Sequence, residues 1–325
     1  MDRLRAGVVG VGYMGEYHVG VYSQLLDVDL VGIADTNLPR AAEVAAKYGT
    51  KAYADYHDLL DRVDVVSVAV PTQHHYSVAR TFLQHGVHVL VEKPITPRLE
   101  EARELYQLAA ERGVVMHVGH VERFNGAVQE LKKIVHEPLL IESRRLGPFV
   151  SRVQDDGVIL DVMIHDLDII LQLVDAPLLS INAFGSSVFS SQLDIASAQL
   201  HFANGCVANV TASRATQNKI RTLAVTERDA YVFLNYTDQD ITIHRQATSQ
   251  HILTRQELTY RQESLIERVF VHKDNPLKLE IQYLLLAARN GGADAVSMED
   301  DLASLEVALQ VMEICKEQRI PASAR

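Results

Sequence analysis

The stretch Arg5-Ala6-Gly7-Val8-Val9-Gly10-Val11-Gly12-Tyr13-Met14-Gly15 decides the reading of this chain. An apolar run ends in G-x-G-x-x-G, and a helical pattern continues over residues 18–26. The glycine spacing alone is weak, because glycines occur in any turn; a strand before it and a helix after it give it meaning. In that context Gly10 permits a tight turn, Gly12 lets a pyrophosphate approach the backbone, and Gly15 lets the helix pack close to the strand. The helix N-terminus, with Tyr13 and Met14 in its first turn, then faces the phosphates with its N–H groups and positive dipole end. Asp35 ends the second apolar run, twenty residues past Gly15. A carboxylate there would hydrogen-bond a ribose 2′-hydroxyl and repel a 2′-phosphate, so NAD is expected rather than NADP. Arg40, five residues on, is the one residue that argues the other way.

Outward from this stretch, short apolar runs at 5–10, 28–35, 63–70, 88–92 and 114–119 alternate with helical patterns at 40–48, 76–84 and 99–112. Near-continuous apolar runs suit strands buried on both faces, and strict alternation with helices predicts a doubly wound parallel sheet, a Rossmann domain over 1–120. Beyond it the pattern changes. A helix is expected at 124–136, a strand at 139–145 and a helix at 157–174, with long strands up to about residue 272. Asn204-Gly205 between alternating segments predicts a tight hairpin, since that pair supplies positive φ angles. Helices at 276–289 and 298–318 close the chain. The second domain, 121–325, is therefore read as α+β on a mostly antiparallel open sheet, with the last helices as candidates to pack back on the first domain.

Composition narrows the classes of function. The 325 residues carry a net charge of −11, with 47% hydrophobic and 22% charged residues, as in a soluble globular protein. An acidic balance argues against a nucleic-acid binder, which needs a basic face. No apolar run approaches the length that crosses a bilayer, and the opening residues lead straight into a strand, so neither membrane nor signal peptide is expected. Cys206 and Cys315 are far apart and fit no metal spacing, consistent with a reducing cytoplasm.

Chemistry is expected at the carboxyl ends of the parallel strands, where doubly wound sheets bind ligands. Pro71, Thr72 and His74 follow the run 63–70, and Glu92-Lys93-Pro94 follows the run 88–92. A lysine fixed there by a following proline is more than a solvated charge.

Taken together, G-x-G-x-x-G, Glu92-Lys93-Pro94 and the later Asp161-x-x-x-His165 resemble the Gfo/Idh/MocA sugar dehydrogenases over essentially the whole chain. The resemblance implies that Lys93, Asp161 and His165 surround the reacting carbinol. Asp161 and His165 are four apart and would share one helix face. His165 suits the base that takes the hydroxyl proton, with Lys93 stabilising charge on the same oxygen and Asp161 orienting the hydroxyl or polarising the lysine. The reverse assignment, with Lys93 as base, stays open. The alternative for the helix is an amphipathic one whose polar face meets water, with Asp166 and Asp168 as further surface charges.

The segment His120-Val121-Glu122-Arg123-Phe124-Asn125 and the stretch around Asp161 resemble members that oxidise nucleotide-linked amino sugars, although Gly126 stands where those members usually have proline. That resemblance implies oxidation of UDP-N-acetylglucosamine at C3, with His120, Glu122, Arg123 and Asn125 near the substrate and an aminotransferase consuming the ketone. It also implies a homodimer or homotetramer. Arg144, Arg145 and Arg152 form a cluster that could grip a pyrophosphate, although alternate residues of an exposed strand are often charged. Two other readings are a dehydrogenase of a free polyol such as inositol, and a non-catalytic NAD-binding regulator. No histidine pair shows metal spacing with carboxylates nearby, and no metal is expected.

Overall fold

The computed structural model describes residues 3–150, 157–246, 250–253, 258–261, 264–292 and 297–317. The chain divides into two units, Met1–Phe124 with Asn275–Val307, and Asn125–Asp274 with Ala308–Arg325.

In the first unit, strands β1 (Leu4–Val9), β2 (Val28–Ala34), β3 (Ala52–Tyr53), β4 (Val65–Val68), β5 (His88–Glu92) and β6 (Met116–Gly119) form one sheet in the order β3-β2-β1-β4-β5-β6. Every pairing in it is parallel. The strand order reverses between β1 and β4, so the loops after those two strands diverge and leave a crevice at the carboxyl edge. Helices α1 (Tyr13–Tyr22), α2 (Leu38–Tyr48), α3 (His75–Gln84) and α4 (Leu99–Arg112) connect the strands. The first helix begins at Tyr13, five residues earlier than its apolar periodicity suggests, because Gly12 serves as its N-cap. Helix α2 starts where the Asn37 side chain accepts from the Arg40 amide, and it stops at Gly49 with φ +70°. Ala6, Val8, Val19, Ile33, Ala41 and Ile281 belong to one buried cluster on this sheet. Ile281 arrives from a later helix, Pro276–Arg289, which belongs to this unit.

The second unit holds α5 (Gly126–Ile134), β7 (Leu140–Leu146), a π-helical turn (Ile159–Met163) and α6 (Ile164–Leu173). Then come β8 (Leu178–Ser186), β9 (Ile195–Phe202), β10 (Val207–Ser213), β11 (Ile220–Thr226), β12 (Ala230–Asn235), β13 (Asp240–Gln246), β14 (Gln250–Leu253), β15 (Leu258–Arg261) and β16 (Ser264–Val269). Two further helices close the chain: α7 (Pro276–Arg289), which belongs to the first unit, and α8 (Met298–Glu317), which belongs to the first unit up to Val307 and to the second from Ala308. The eight-stranded sheet runs β16-β13-β12-β11-β7-β10-β9-β8 and is antiparallel except for the β7–β10 pair. Burial alternates along β7, β9 and β10, as expected where helices cover one face of an antiparallel sheet. Exposed Leu179, Phe184, Leu265 and Ile266 leave apolar surface on this unit.

The hairpin between β9 and β10 differs from the expected two-residue turn. Its loop spans residues 203–206, and only Gly205 has positive φ. Asn204 acts instead through its side chain, which accepts from the Cys206 amide.

Candidate active site

Each glycine of the loop after β1 has a distinct steric reason. Gly10 sits at φ +84°, and a Cβ there would lie 2.6 Å from the Ala69 carbonyl oxygen. At Gly15 a Cβ would lie 1.8 Å from the Gly10 carbonyl oxygen, so only glycine lets α1 press on its own loop. Gly12 is the reverse case, since nothing lies within 4 Å of the Cβ it lacks. That open space stands at the N-terminus of α1, which no side chain caps. An uncapped helix end beside a Cβ-sized gap is an anion cradle, so these residues fit a dinucleotide pyrophosphate.

Asp35 borders the same loop. Its Oδ2 accepts from the Val11 amide at 2.8 Å and its Oδ1 from the Asn37 amide at 2.8 Å. Arg40 does not offset this negative charge towards a 2′-phosphate. Its guanidinium is spent on Glu16, on Glu43 at 3.0 Å and on the Val11 carbonyl at 3.3 Å. The residue that argued for NADP is thus engaged by two carboxylates.

At the end of β5, Lys93 is half-buried and its peptide bond to Pro94 is cis. Glu92 takes a different place from the expected cofactor contact. Its carboxyl is buried and accepts from His18 Nε2 at 2.8 Å, and the other ring nitrogen of His18 meets Ser67 Oγ at 3.0 Å. Burial works against ionisation of Glu92, yet the hydrogen bond from His18 and the charges of His18, Lys93 and His75 hold it below its ordinary value. Pro71 and His74 are exposed, and Thr72 is buried in a 3-10 turn, Thr72–His74, leading into α3. The next residue, His75, is buried with both ring nitrogens on backbone carbonyls, Pro94 at 2.9 Å and Val70 at 2.8 Å. Neither His18 nor His75 stood out in the sequence. The available signal was position, His18 three residues past Gly15 and His75 one past the strand-end loop.

The substrate expectations after β6 need correction. Arg123 is buried and ion-paired with Asp301, and it donates to the Asp300 carbonyl at 3.2 Å. A guanidinium removed from water requires a carboxylate partner, and this one is internal. Buried His120 lies 3.4 Å from Ser304 Oγ, while Glu122 is half-buried. In the second unit Asn125 is buried, caps α5 by accepting from the Ala127 amide, and donates to the Tyr236 carbonyl at 3.1 Å. Gly126 has its own cause, because a Cβ there would lie 2.4 Å from the His272 carbonyl oxygen.

The arginine cluster is also corrected. Arg145 is buried and grips Asp166 with two hydrogen bonds, 3.0 and 2.9 Å, while its guanidinium lies 4.6 Å from the Tyr236 ring centroid. Arg144 is exposed, and the alternation of a strand directs it to the opposite face from Arg145. Arg152 lies outside the described residues. Asp166 and Asp168, read as surface charges, are 0% and 2% exposed.

Asp161 and His165 are both half-buried. The segment that carries them is not a uniform α-helix, since the Ile164 amide donates to the Ile159 carbonyl, five residues back. Asp161 thus sits in a π turn, a rare form that recurs at functional positions. The turn is anchored where the Val158 amide donates to the Leu193 carbonyl. The adjoining loop is itself tied to Asp194, which accepts from the amides of Val188, Phe189 and Ser190 and from Arg214 Nε at 2.8 Å. Among the described residues no group of three histidine, cysteine, aspartate or glutamate side chains is arranged to hold a metal.

Residues 4–120 match the model of an oxidoreductase family with an NAD-binding Rossmann fold, and residues 126–232 match the Gfo/Idh/MocA C-terminal domain. The chain is 38% identical over 245 residues to the UDP-N-acetylglucosamine 3-dehydrogenase of Acidithiobacillus ferrooxidans, covering 75% of this chain and 78% of that one. A crystal form of that enzyme superposes with a TM-score of 0.86 and 34% identity, covering 98% of this chain and 99% of the other. The scyllo-inositol 2-dehydrogenase of Bacillus subtilis is 26% identical, covering 94% and 92%. This chain belongs to the Gfo/Idh/MocA family of NAD-dependent oxidoreductases.

Proposed function

We propose that the protein oxidises a secondary alcohol of a nucleotide-linked sugar to a ketone, with UDP-N-acetylglucosamine at C3 as substrate. The observation that carries this reading is the 38% identity to an enzyme of that name across three quarters of the chain. The residues support the chemistry. Gly12 and the N-terminus of α1 would hold the pyrophosphate, and Asp35 would bind a ribose hydroxyl. NAD, when bound, accepts the hydride. His165 takes the hydroxyl proton, since an imidazole ordinarily titrates near neutral pH. Lys93 donates a hydrogen bond to the same oxygen, and Asp161 orients the hydroxyl. The alcohol thus loses one proton to the protein and one hydride to NAD, leaving a ketone, NADH and a proton. The exchanged assignment, with Lys93 as base, predicts the same products.

A second reading, a free polyol such as inositol, is favoured by one specific finding: Arg123 and Arg145, two of the arginines expected at the substrate, are paired with internal carboxylates. The test mixes the protein and NAD with UDP-N-acetylglucosamine, or with inositol, and follows NADH while an aminotransferase removes the ketone. NADH with the nucleotide sugar alone, lost in Lys93→Met and in His165→Asn, supports the first reading. Turnover of inositol alone transfers the mechanism to the second. NAD binding without turnover of any sugar moves a regulatory role to first place. The apolar surface around Leu179 and Phe184 fits a homodimer or homotetramer, which sedimentation checks. Buried, unpaired Cys206 and Cys315 fit a reducing cytoplasm.

A further inference from the structure

Two loops at the carboxyl edge of the first sheet meet on one imidazole. His75 opens α3 and is 1% exposed. Its Nδ1 lies 2.9 Å from the Pro94 carbonyl oxygen, and its Nε2 lies 2.8 Å from the Val70 carbonyl oxygen. A peptide carbonyl oxygen has no hydrogen to give, so each ring nitrogen must be the donor. A neutral imidazole has a single N–H, whichever tautomer it adopts. Its second nitrogen would then turn a lone pair on a carbonyl lone pair inside a buried site, which is costly. Only the imidazolium satisfies both contacts.

The carbonyls it joins belong to the functional loops. Pro94 directly follows Lys93, and Val70 directly precedes Pro71 and Thr72. The same Ala69–Val70 segment is what a Cβ on Gly10 would strike, at 2.6 Å from Ala69 O and 2.8 Å from Val70 N. The ring therefore links the glycine loop, through Val70, to the lysine. A buried cation needs a counter-charge, and Glu92 supplies one, since its ionised form is favoured in part by His75. His18 and Lys93 also act on Glu92; on α3 itself exposed His74 precedes the ring, and Tyr76 and Arg80 meet Glu104 of α4, with Glu101 nearby.

We propose that His75 is a positioning residue, held doubly protonated at neutral pH, whose two N–H groups fix the Val70 and Lys93–Pro94 loops at one spacing. The proposal rests on the reading of Lys93 as the residue that meets the reacting oxygen. It is tested first without any sugar. In the full chain labelled with 15N-histidine, the His75 ring is identified by its loss in His75→Gln, or by through-bond correlation from its own backbone should that variant not fold. At about pH 7.5, roughly one unit above the ordinary histidine value, both ring nitrogens are expected in the protonated imidazolium pattern. A neutral ring with one protonated nitrogen overturns the proposal, whatever the substrate proves to be.

The second readout uses NAD and UDP-N-acetylglucosamine. Loss of one clamp contact should lower kcat of His75→Gln by about tenfold or more, because small misplacements near the reacting atoms cost that much. NADH affinity, followed by fluorescence, should change by less than about threefold. In the wild type a fall in kcat on raising pH should share its midpoint with the change of the ring from imidazolium to neutral imidazole seen by NMR, and this limb should vanish in His75→Gln. A pH profile of unchanged shape in the variant contradicts the positioning role. An imidazolium signal together with silence towards every sugar leaves the clamp in place and discards the substrate reading instead.

Discussion

The glycine loop of the first unit and the helix bearing Asp161 and His165 in the second are held by opposite means. The loop is fixed by what its residues lack, because backbone approaches backbone where a Cβ would stand. The helix is fixed by what its residues carry. Asp166 lies about 100° round from His165 on a helix of 3.6 residues per turn, and its two hydrogen bonds to Arg145 of β7 anchor that side. The difference is one of range. Steric constraints between neighbours in sequence can be read as spacing, whereas a charge pair between two elements cannot.

The largest expected effect breaks the first half of this comparison. Gly15→Ala should destabilise the protein by about 3 kcal/mol or more and abolish NADH binding, because a backbone carbonyl 1.8 Å from the new Cβ has nowhere to move. Gly12→Ala should cost no more than about 1 kcal/mol, yet weaken NADH at least about tenfold by filling the cradle. Equal losses of melting temperature in the two variants would remove the distinction between a packing glycine and a binding one.

The second half is tested by Arg145→Met, which leaves Asp166 buried and alone at an expected cost of about 3–5 kcal/mol. Urea unfolding of Arg145→Met with Asp166→Leu should recover much of that loss, since no uncompensated charge remains. Failure to recover would mean that the pair supplies shape as well as neutrality.

Glu280 of α7 sharpens the contrast, being a buried carboxyl without such a partner. Its oxygens have no hydrogen bond among the described residues, and His117 Nε2 stands 3.5 Å away. Burial raises its titration point, with the nearby Glu92 adding to the effect and His117 opposing it. A raised acid favours the protonated form, so its contribution to stability is present at low pH and lost as pH rises through the folded value. Glu280→Gln should therefore stabilise the protein at neutral pH by about 1–2 kcal/mol, and thermal melts should show the gain shrinking as pH falls through the raised folded value and gone below about pH 4.3, the ordinary glutamate value. A smaller effect is expected at Asn125. Its replacement by alanine removes the cap of α5, at about 1 kcal/mol in urea unfolding.

Much of the fold was legible because it follows from local pattern. Helices α4 and α7 occupy the residues their periodicity marks, and the parallel strands match their apolar runs within a few residues, except the two-residue β3, which no apolar run marks. The π turn was not legible, because a shift from four-residue to five-residue hydrogen bonding leaves side-chain periodicity nearly unchanged over one turn. Spacing alone marked the turn that opens α1, where Gly10 and Gly15 meet backbone and Gly12 faces open space. Sequence pattern failed for Arg123 and Arg145, since a cation free for phosphate and a cation already paired look alike until the partner is seen. Asp301 lies 178 residues from Arg123, beyond any local pattern. His18 and His75 were missed for the same reason, their partners being a strand-end carboxylate and two backbone carbonyls.

The proposed reaction moves a hydride from C3 of a nucleotide sugar to NAD. The most direct measurement incubates the protein with NAD and UDP-N-acetylglucosamine deuterated at C3, then weighs the reduced cofactor by mass spectrometry. Deuterium in the nicotinamide ring and a ketone at C3 are expected, both absent with Lys93→Met. Reduced cofactor without deuterium, or no reduction of NAD by this sugar while inositol reduces it, would contradict the account.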